Sequence, residues 1–139
     1  MYLLDTNTVI YFCNSKLPEK SRAFLFGIEP AISVITNIEL FASAKIPVEE
    51  QRILESFAAM CTVYREIDPV IVIKAISIRQ QFKTKLPDAI IAATALAHNL
   101  TLITHNLLDF EQIEGLQLID PFNPNPLSWL FTGEKHISS

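Results

Sequence analysis

Leu86-Pro87-Asp88-Ala89-Ile90-Ile91-Ala92-Ala93-Thr94-Ala95-Leu96-Ala97 is the stretch from which the rest of the chain can be read. Beyond Asp88 it is apolar nearly all round, the mark of a helix sunk into a protein rather than laid on its surface. Ala and Leu are strong helix formers, and Pro87 suits a first helical position, where its missing N–H loses nothing. One carboxylate, Asp88, therefore stands at the positive end of a buried helix. Alone it need do no more than complement the helix dipole, an effect of roughly 0.3–1 kcal/mol.

Outward from this helix, short apolar runs alternate with helical segments. Met1–Leu4 predicts a buried strand that ends at Asp5-Thr6-Asn7, a helix start, with helix continuing over Val9–Phe12 and a second short one after Pro18. Ala31–Ile35 is apolar and largely β-branched, a second strand. Thr36-Asn37-Ile38-Glu39 then opens a helix through Ala44, and Val48–Met60 gives another. Thr62–Ile67 predicts a third strand, Asp68-Pro69 the start of a helix to about Lys83, Thr101–Thr104 a fourth strand and Leu116–Ile119 a fifth. Between the last two, His105–Gly115 is expected to be a loop. Strands alternating with helices imply an α/β fold, a parallel sheet covered on both faces. The folded unit is expected over residues 1–122. A tail, 123–139, holds Pro124 and Pro126 and an apolar plug over Leu127–Phe131, expected to dock on the domain or on a second copy.

The 139 residues suffice for one domain with a real core. Half of them are hydrophobic and 19% are charged, the balance of a folded globular protein. No apolar run reaches the roughly 18 residues that span a bilayer, and Asp5 interrupts the N-terminus too early for a signal peptide. Cys13 and Cys61 stand alone, which predicts reduced, packed thiols in a cytoplasmic protein. A net charge of −4 excludes binding nucleic acid by bulk electrostatics, but not through a bound cation and a local basic patch. Lys74, Arg79, Lys83 and Lys85, in a stretch with no acid between Asp68 and Asp88, form such a patch. Neither a GxGxxG nor a Walker loop is present.

Ligands of open parallel sheets sit beyond the carboxyl ends of the strands, where the strand order reverses. Asp5 ends the first strand, Glu39 lies in the first turn after the second, Thr104-His105-Asn106 ends the fourth, and Asp88 opens the helix that feeds it. Each has an ordinary structural use. Asp5 or Asn7 can cap a helix, Thr36 and Glu39 fit a capping box, and Asn106 and Asp109 are common in turns. Together, however, carboxylates crowded into one crevice repel one another unless a cation neutralises them. Oxygen donors without a Cys/His cluster suit Mg²⁺ or Mn²⁺.

LLDTN at 3–7, ISVITNIELFA at 32–42, LPDAIIAATALAHNLTLITHN at 86–106, DF at 109–110 and LID at 118–120 resemble the PIN-domain superfamily. Their order and spacing most resemble the VapC-type toxins of toxin–antitoxin pairs. The resemblance implies a three-layer α/β fold with a five-stranded parallel sheet in the order 3-2-1-4-5. It implies a Mg²⁺- or Mn²⁺-dependent endoribonuclease that leaves 5′-phosphate and 3′-hydroxyl ends, with transfer RNA a candidate substrate. The family's acidic positions fall on Asp5, Glu39 and Asp88, with Asp5 and Asp88 on the metal and Thr6, Asn7 and Thr104 in support. Its fourth acid falls on Asn106, an amide, which puts a tightly held second metal in doubt; Asp109 is a possible substitute by position. Arg79, Lys83 and Lys85 are the expected RNA contacts, and such a mechanism needs no histidine. The resemblance further implies a homodimer and a cognate VapB-type antitoxin, with aromatic surfaces around Tyr11, Phe12, Phe41 and Phe57 to serve either. Two other readings remain at this stage. One is a catalytically weak RNA- or protein-binding module. The other is a phosphoacceptor with Asp5 as nucleophile, which the absence of a D-x-D pair disfavours.

Overall fold

Adjacent residues of a strand face opposite sides of a sheet, and here both sides are buried. In the first strand, β1 (Tyr2–Leu4), Leu3 belongs to one hydrophobic cluster and Leu4 to the other. Ala31 and Ile32 of β2 (Pro30–Ser33) divide in the same way, as do Leu102 and Ile103 of β4 (Thr101–Ile103). With β3 (Thr62–Tyr64) and β5 (Leu118–Ile119) these strands form a parallel sheet in the order β3-β2-β1-β4-β5. The structure, a computed structural model, describes residues 1–123. The expected tail, with its Leu127–Phe131 plug, lies from residue 124 onward outside the described residues.

One face of the sheet is covered by α5 (Pro69–Gln81) and α6 (Leu86–Ala97), which pack closely on each other. Their cluster includes Ile71, Ala75 and Ile78 with Ala89 and Ile91 through Ala95, Thr94 excepted. Thr94 is buried beside them and donates its hydroxyl to the Ile90 carbonyl at 2.7 Å. The four buried alanines of α6, Ala89, Ala92, Ala93 and Ala95, let the helix lie close against the sheet, because a methyl group adds little thickness. Pro87 stands in its first turn after Lys85 at the cap, so Asp88 is one position deeper than a start at Pro87 implies.

The opposite face carries α1 (Thr6–Cys13), α2 (Glu19–Phe26), α3 (Val34–Phe41) and α4 (Val48–Met60) around Val9, Phe12, Leu25, Leu40 and Leu54. Phe12 is buried in this core, and Tyr11, Phe41 and Phe57 pack against it. The aromatic surface expected there is thus largely interior. Cys13 and Cys61 are free thiols on the same cluster; burial pushes Cys13 up to about 11 and, with Cys13 adding, Cys61 up to about 12.

Several expectations need correction. Helix α3 begins at Val34, with Ser33 as its cap, Oγ accepting from the Ile35 N–H at 3.0 Å. The Thr36–Glu39 capping box is therefore not formed, and Glu39 sits beyond the first turn. Val34 and Ile35 favour a strand locally, but tertiary packing and the Ser33 cap override so weak a preference. That helix ends at Phe41, short of Ala44. Strand β3 stops at Tyr64 and α5 at Gln81. The segment expected as loop holds α7 (Leu107–Phe110), which plants Phe110 in the core. Positive φ at Asn99 and Gly115, 53° and 82°, turns the chain into β4 and towards β5, conformations that Asn and Gly tolerate best.

No helix among the described residues is long and apolar enough to cross a membrane. Ala92 is fully buried where α6 meets the sheet. Ala92→Leu is expected to lower stability by about 1–3 kcal/mol through overpacking, read as a lower urea midpoint with an unchanged slope.

Candidate functional site

Where β1 gives way to α1, Asp5 is buried with both carboxylate oxygens engaged. Oδ1 accepts the Thr8 N–H at 2.9 Å as the helix cap, and Oδ2 accepts the Thr104 hydroxyl at 2.6 Å. The junction is tied to β4 by the Asp5 N–H and the Thr8 hydroxyl, both donating to the Ile103 carbonyl, at 3.2 and 3.0 Å. This is the switch point of the sheet, since β1 lies between β2 and β4.

Asp88 and Glu39 reach the same region from α6 and α3. Thr6 donates its hydroxyl to Glu39 Oε1 at 2.6 Å and lies 3.1 Å from Thr36 Oγ1, linking α1 to α3. The Asn106 backbone N–H donates to Thr104 Oγ1 at 3.1 Å. The Asn106 amide donates to Asp109 Oδ2 at 2.6 Å. Asp5, Asn7 and Asn106 line a recess of about 210 Å³ together with Tyr11 and His105.

The charges betray the crowding. Burial raises the Asp5 carboxyl above its ordinary value; hydrogen bonds from Thr104 and Thr8 pull it back, and Glu39 adds to the rise. Burial likewise raises Asp88, reinforced by Asp109, Glu39 and Asp5, with Lys85 opposing. Three acids press on Asp88 and one lysine relieves it. Among the described residues, no three carboxylate, imidazole or thiol groups stand close enough to hold one ion as they lie. In charge and donor type, however, the set fits a hard divalent cation: carboxylate and amide oxygens with surplus negative charge.

The structure thus brings Asp5, Glu39 and Asp88 into mutual electrostatic contact, with Thr6, Asn7, Thr104 and Asn106 adjoining. Lys83 and Lys85 are exposed beside Thr84 at the start of α6. Arg79 turns elsewhere, its Nε donating to the Thr84 carbonyl at 3.2 Å beside an apolar hollow between α5 and α6. Asp109, treated above as a turn residue or a substitute by position, is the largest charge influence on Asp88. The i, i+3 spacing of Asn106 and Asp109 would have signalled it, had α7 been foreseen.

Comparison with known proteins places these features. The family model described as PIN domain matches residues 2–116. The chain is 32% identical over 129 residues to a Salmonella typhimurium protein named tRNA(fMet)-specific endonuclease VapC, covering 86% of this chain and 96% of that one. A toxin–antitoxin complex from Klebsiella pneumoniae contains a chain that is 34% identical, with a TM-score of 0.69 over 87% of this chain and 98% of that one. VapBC2 from Rickettsia felis, bound to a fragment of its promoter DNA, reaches a TM-score of 0.73 at 25% identity, over 85% and 96% of the two chains.

A folded state that raises a carboxyl pKa holds its proton more tightly than the unfolded chain, whose value is near 3.8 for Asp. Stability from Asp5 and Asp88 is therefore present below that value and lost as pH rises through their raised folded values. Asp88→Asn is expected to flatten this decline in metal-free melts. Mn²⁺ added at neutral pH is expected to raise the melting temperature of the unmodified chain more than that of Asp88→Asn. Equal metal-induced shifts would count against a cation at these carboxylates.

Proposed function

The chain belongs to the PIN-domain family, alongside the VapC-type proteins, and on that premise we propose that it is a metal-dependent endoribonuclease toxin. The observation that carries this reading is that the charge of Glu39 reaches both Asp5 and Asp88, three carboxylates from distant parts of the chain. In this proposal Asp5 and Asp88 hold Mg²⁺ or Mn²⁺, and Glu39 contributes directly or through water. When bound, such an ion supplies an acidified water as nucleophile and charge stabilisation at the phosphoryl group.

The protein's own part is positioning. Thr104 and the Thr8 N–H fix the Asp5 carboxylate, so neither oxygen is free to swing away. Thr6 holds Glu39 towards α1. Asn106 brings an uncharged oxygen to the place of the family's fourth acid and grips Asp109, which retains a negative charge nearby. Lys83 and Lys85 offset the acidic crevice for an approaching phosphate backbone, with Arg79 a more peripheral contact. The expected products are 5′-phosphate and 3′-hydroxyl ends, made in the cytoplasm. Transfer RNA is the first substrate to test, given the name of the Salmonella relative.

A VapB-type antitoxin is the proposed partner, supported by the toxin–antitoxin complexes among the structural neighbours. Surplus carboxylates make the crevice receptive to a basic side chain from such a partner. A second copy of this chain is proposed to cover the face around α5, where Ile67, Val70, Ile73, Ile76 and Leu86 are exposed side by side with the hollow.

Asp5→Asn and Asp88→Asn keep shape and, at Asp5, the helix cap, while removing charge. Each is expected to lower Mn²⁺-dependent cleavage of transfer RNA about a hundredfold or more, several kcal/mol of transition-state stabilisation. Full activity in either variant, or in EDTA, would overturn the assignment. For the dimer, sedimentation of the unmodified chain should give twice the monomer mass, and Ile76→Asp should give the monomer. A monomeric unmodified chain would refute that surface.

A further inference from the structure

The recess beside Asp5 contains a set of rings that the proposed chemistry leaves unused. His105 and Tyr11 line it with Asp5, Asn7 and Asn106. The His105 ring lies 4.5 Å from that of Phe122, and Phe122 stands edge-on to Tyr11 at 5.1 Å. His105 Nδ1 is 2.9 Å from Asp120 Oδ1, and the same oxygen accepts the Phe122 N–H at 2.9 Å. The Thr104 N–H donates to the Ile119 carbonyl at 2.9 Å, locking the ends of β4 and β5 that carry His105 and Asp120. The imidazole is therefore held by a hydrogen bond on one edge and by a ring on one face.

A carboxylate can only accept, so Nδ1 carries the hydrogen, and Nε2 is the nitrogen left for a ligand. The side chain is 54% exposed, so it is not a histidine packed away in a core. About 210 Å³ is less than the roughly 300–1,000 Å³ that encloses a whole small molecule. Such a recess suits one unit of a longer chain. Unpaired RNA is gripped in that way, nucleotide by nucleotide, through rings and hydrogen bonds.

We propose that His105 contacts the substrate, its Nε2 hydrogen-bonding the RNA nucleotide seated in the recess beside Asp5. Asp120 and Phe122 are positioning residues that act through the ring. The inference rests on the nuclease reading above and adds a binding residue on the side of the site opposite the lysines in sequence.

Full-length chains carrying His105→Ala, His105→Gln and His105→Phe test it, each also on an Asp88→Asn background. An end-labelled single-stranded RNA of mixed sequence reports affinity by anisotropy on that background, and KM and kcat are measured with Mn²⁺ on the others. The Ala and Phe variants are expected to bind about tenfold more weakly, the scale of one hydrogen bond, with the change in KM. Gln, whose amide oxygen can accept where Nε2 does, should stay within about twofold of the unmodified chain. Unchanged affinity in His105→Ala, or in His105→Phe with loss in His105→Gln, would overturn the proposal. Should His105→Ala fail to fold, the Gln and Phe pair decides. RNA cut normally with no effect of His105 sinks this inference alone; RNA neither bound nor cut by the unmodified chain sinks the nuclease reading with it.

Discussion

The carboxylate of Asp5 is the joint on which the structure turns. It caps α1 through the Thr8 N–H and anchors β4 through the Thr104 hydroxyl, from a position almost closed to water. A buried carboxylate without donors is strongly disfavoured. Here the two donors pull its pKa down while burial pushes it up, and burial prevails. One side chain thus ends a strand, starts a helix, bridges to a strand nearly a hundred residues away and brings a negative charge to the switch point of the sheet.

That arrangement places stability and proposed function in opposition. Burial and then the charges of Asp109, Glu39 and Asp5 raise the Asp88 carboxyl above its ordinary value, with Lys85 opposing. Neutralising Asp88 would remove that opposition from the fold. The retention of these acids in so apolar a frame makes sense if a cation or a basic side chain binds there, which is how the proposed metal and the proposed antitoxin come to compete for one crevice. The apolar weight that tolerates the strain is supplied by α6, whose alanines pack it tightly on the sheet.

Particular residues show how far the sequence could be read. The apolar stretch after Asp88 announced a buried helix because its composition admits no wet face, and α6 is such a helix. Strands β1, β2 and β4 were legible because both faces of each are buried, leaving short apolar runs bounded by polar or turn residues. Glu39 was expected to be tied to Thr36 within its own helix; it is tied to Thr6 of another. Thr-x-x-Glu is a local pattern, and a Ser three residues earlier took the cap. Similarly, Tyr11, Phe12, Phe41 and Phe57 looked like a surface because no local rule says which side of a short helix meets a neighbour.

The amino-acid sequence by itself determined the alternation of strand and helix and the two-sided burial of the sheet. These follow from composition, spacing and order along the chain, properties that survive without coordinates. Tertiary structure alone decided which donors hold Asp5 and Glu39, that Asp109 bears on Asp88, and that His105 is pinned by Asp120 across the ends of β4 and β5. Such pairings depend on ångström-scale distances between residues remote in sequence, and the strength of a hydrogen bond or a charge interaction is set by that separation and by burial, neither of which is written in any local pattern.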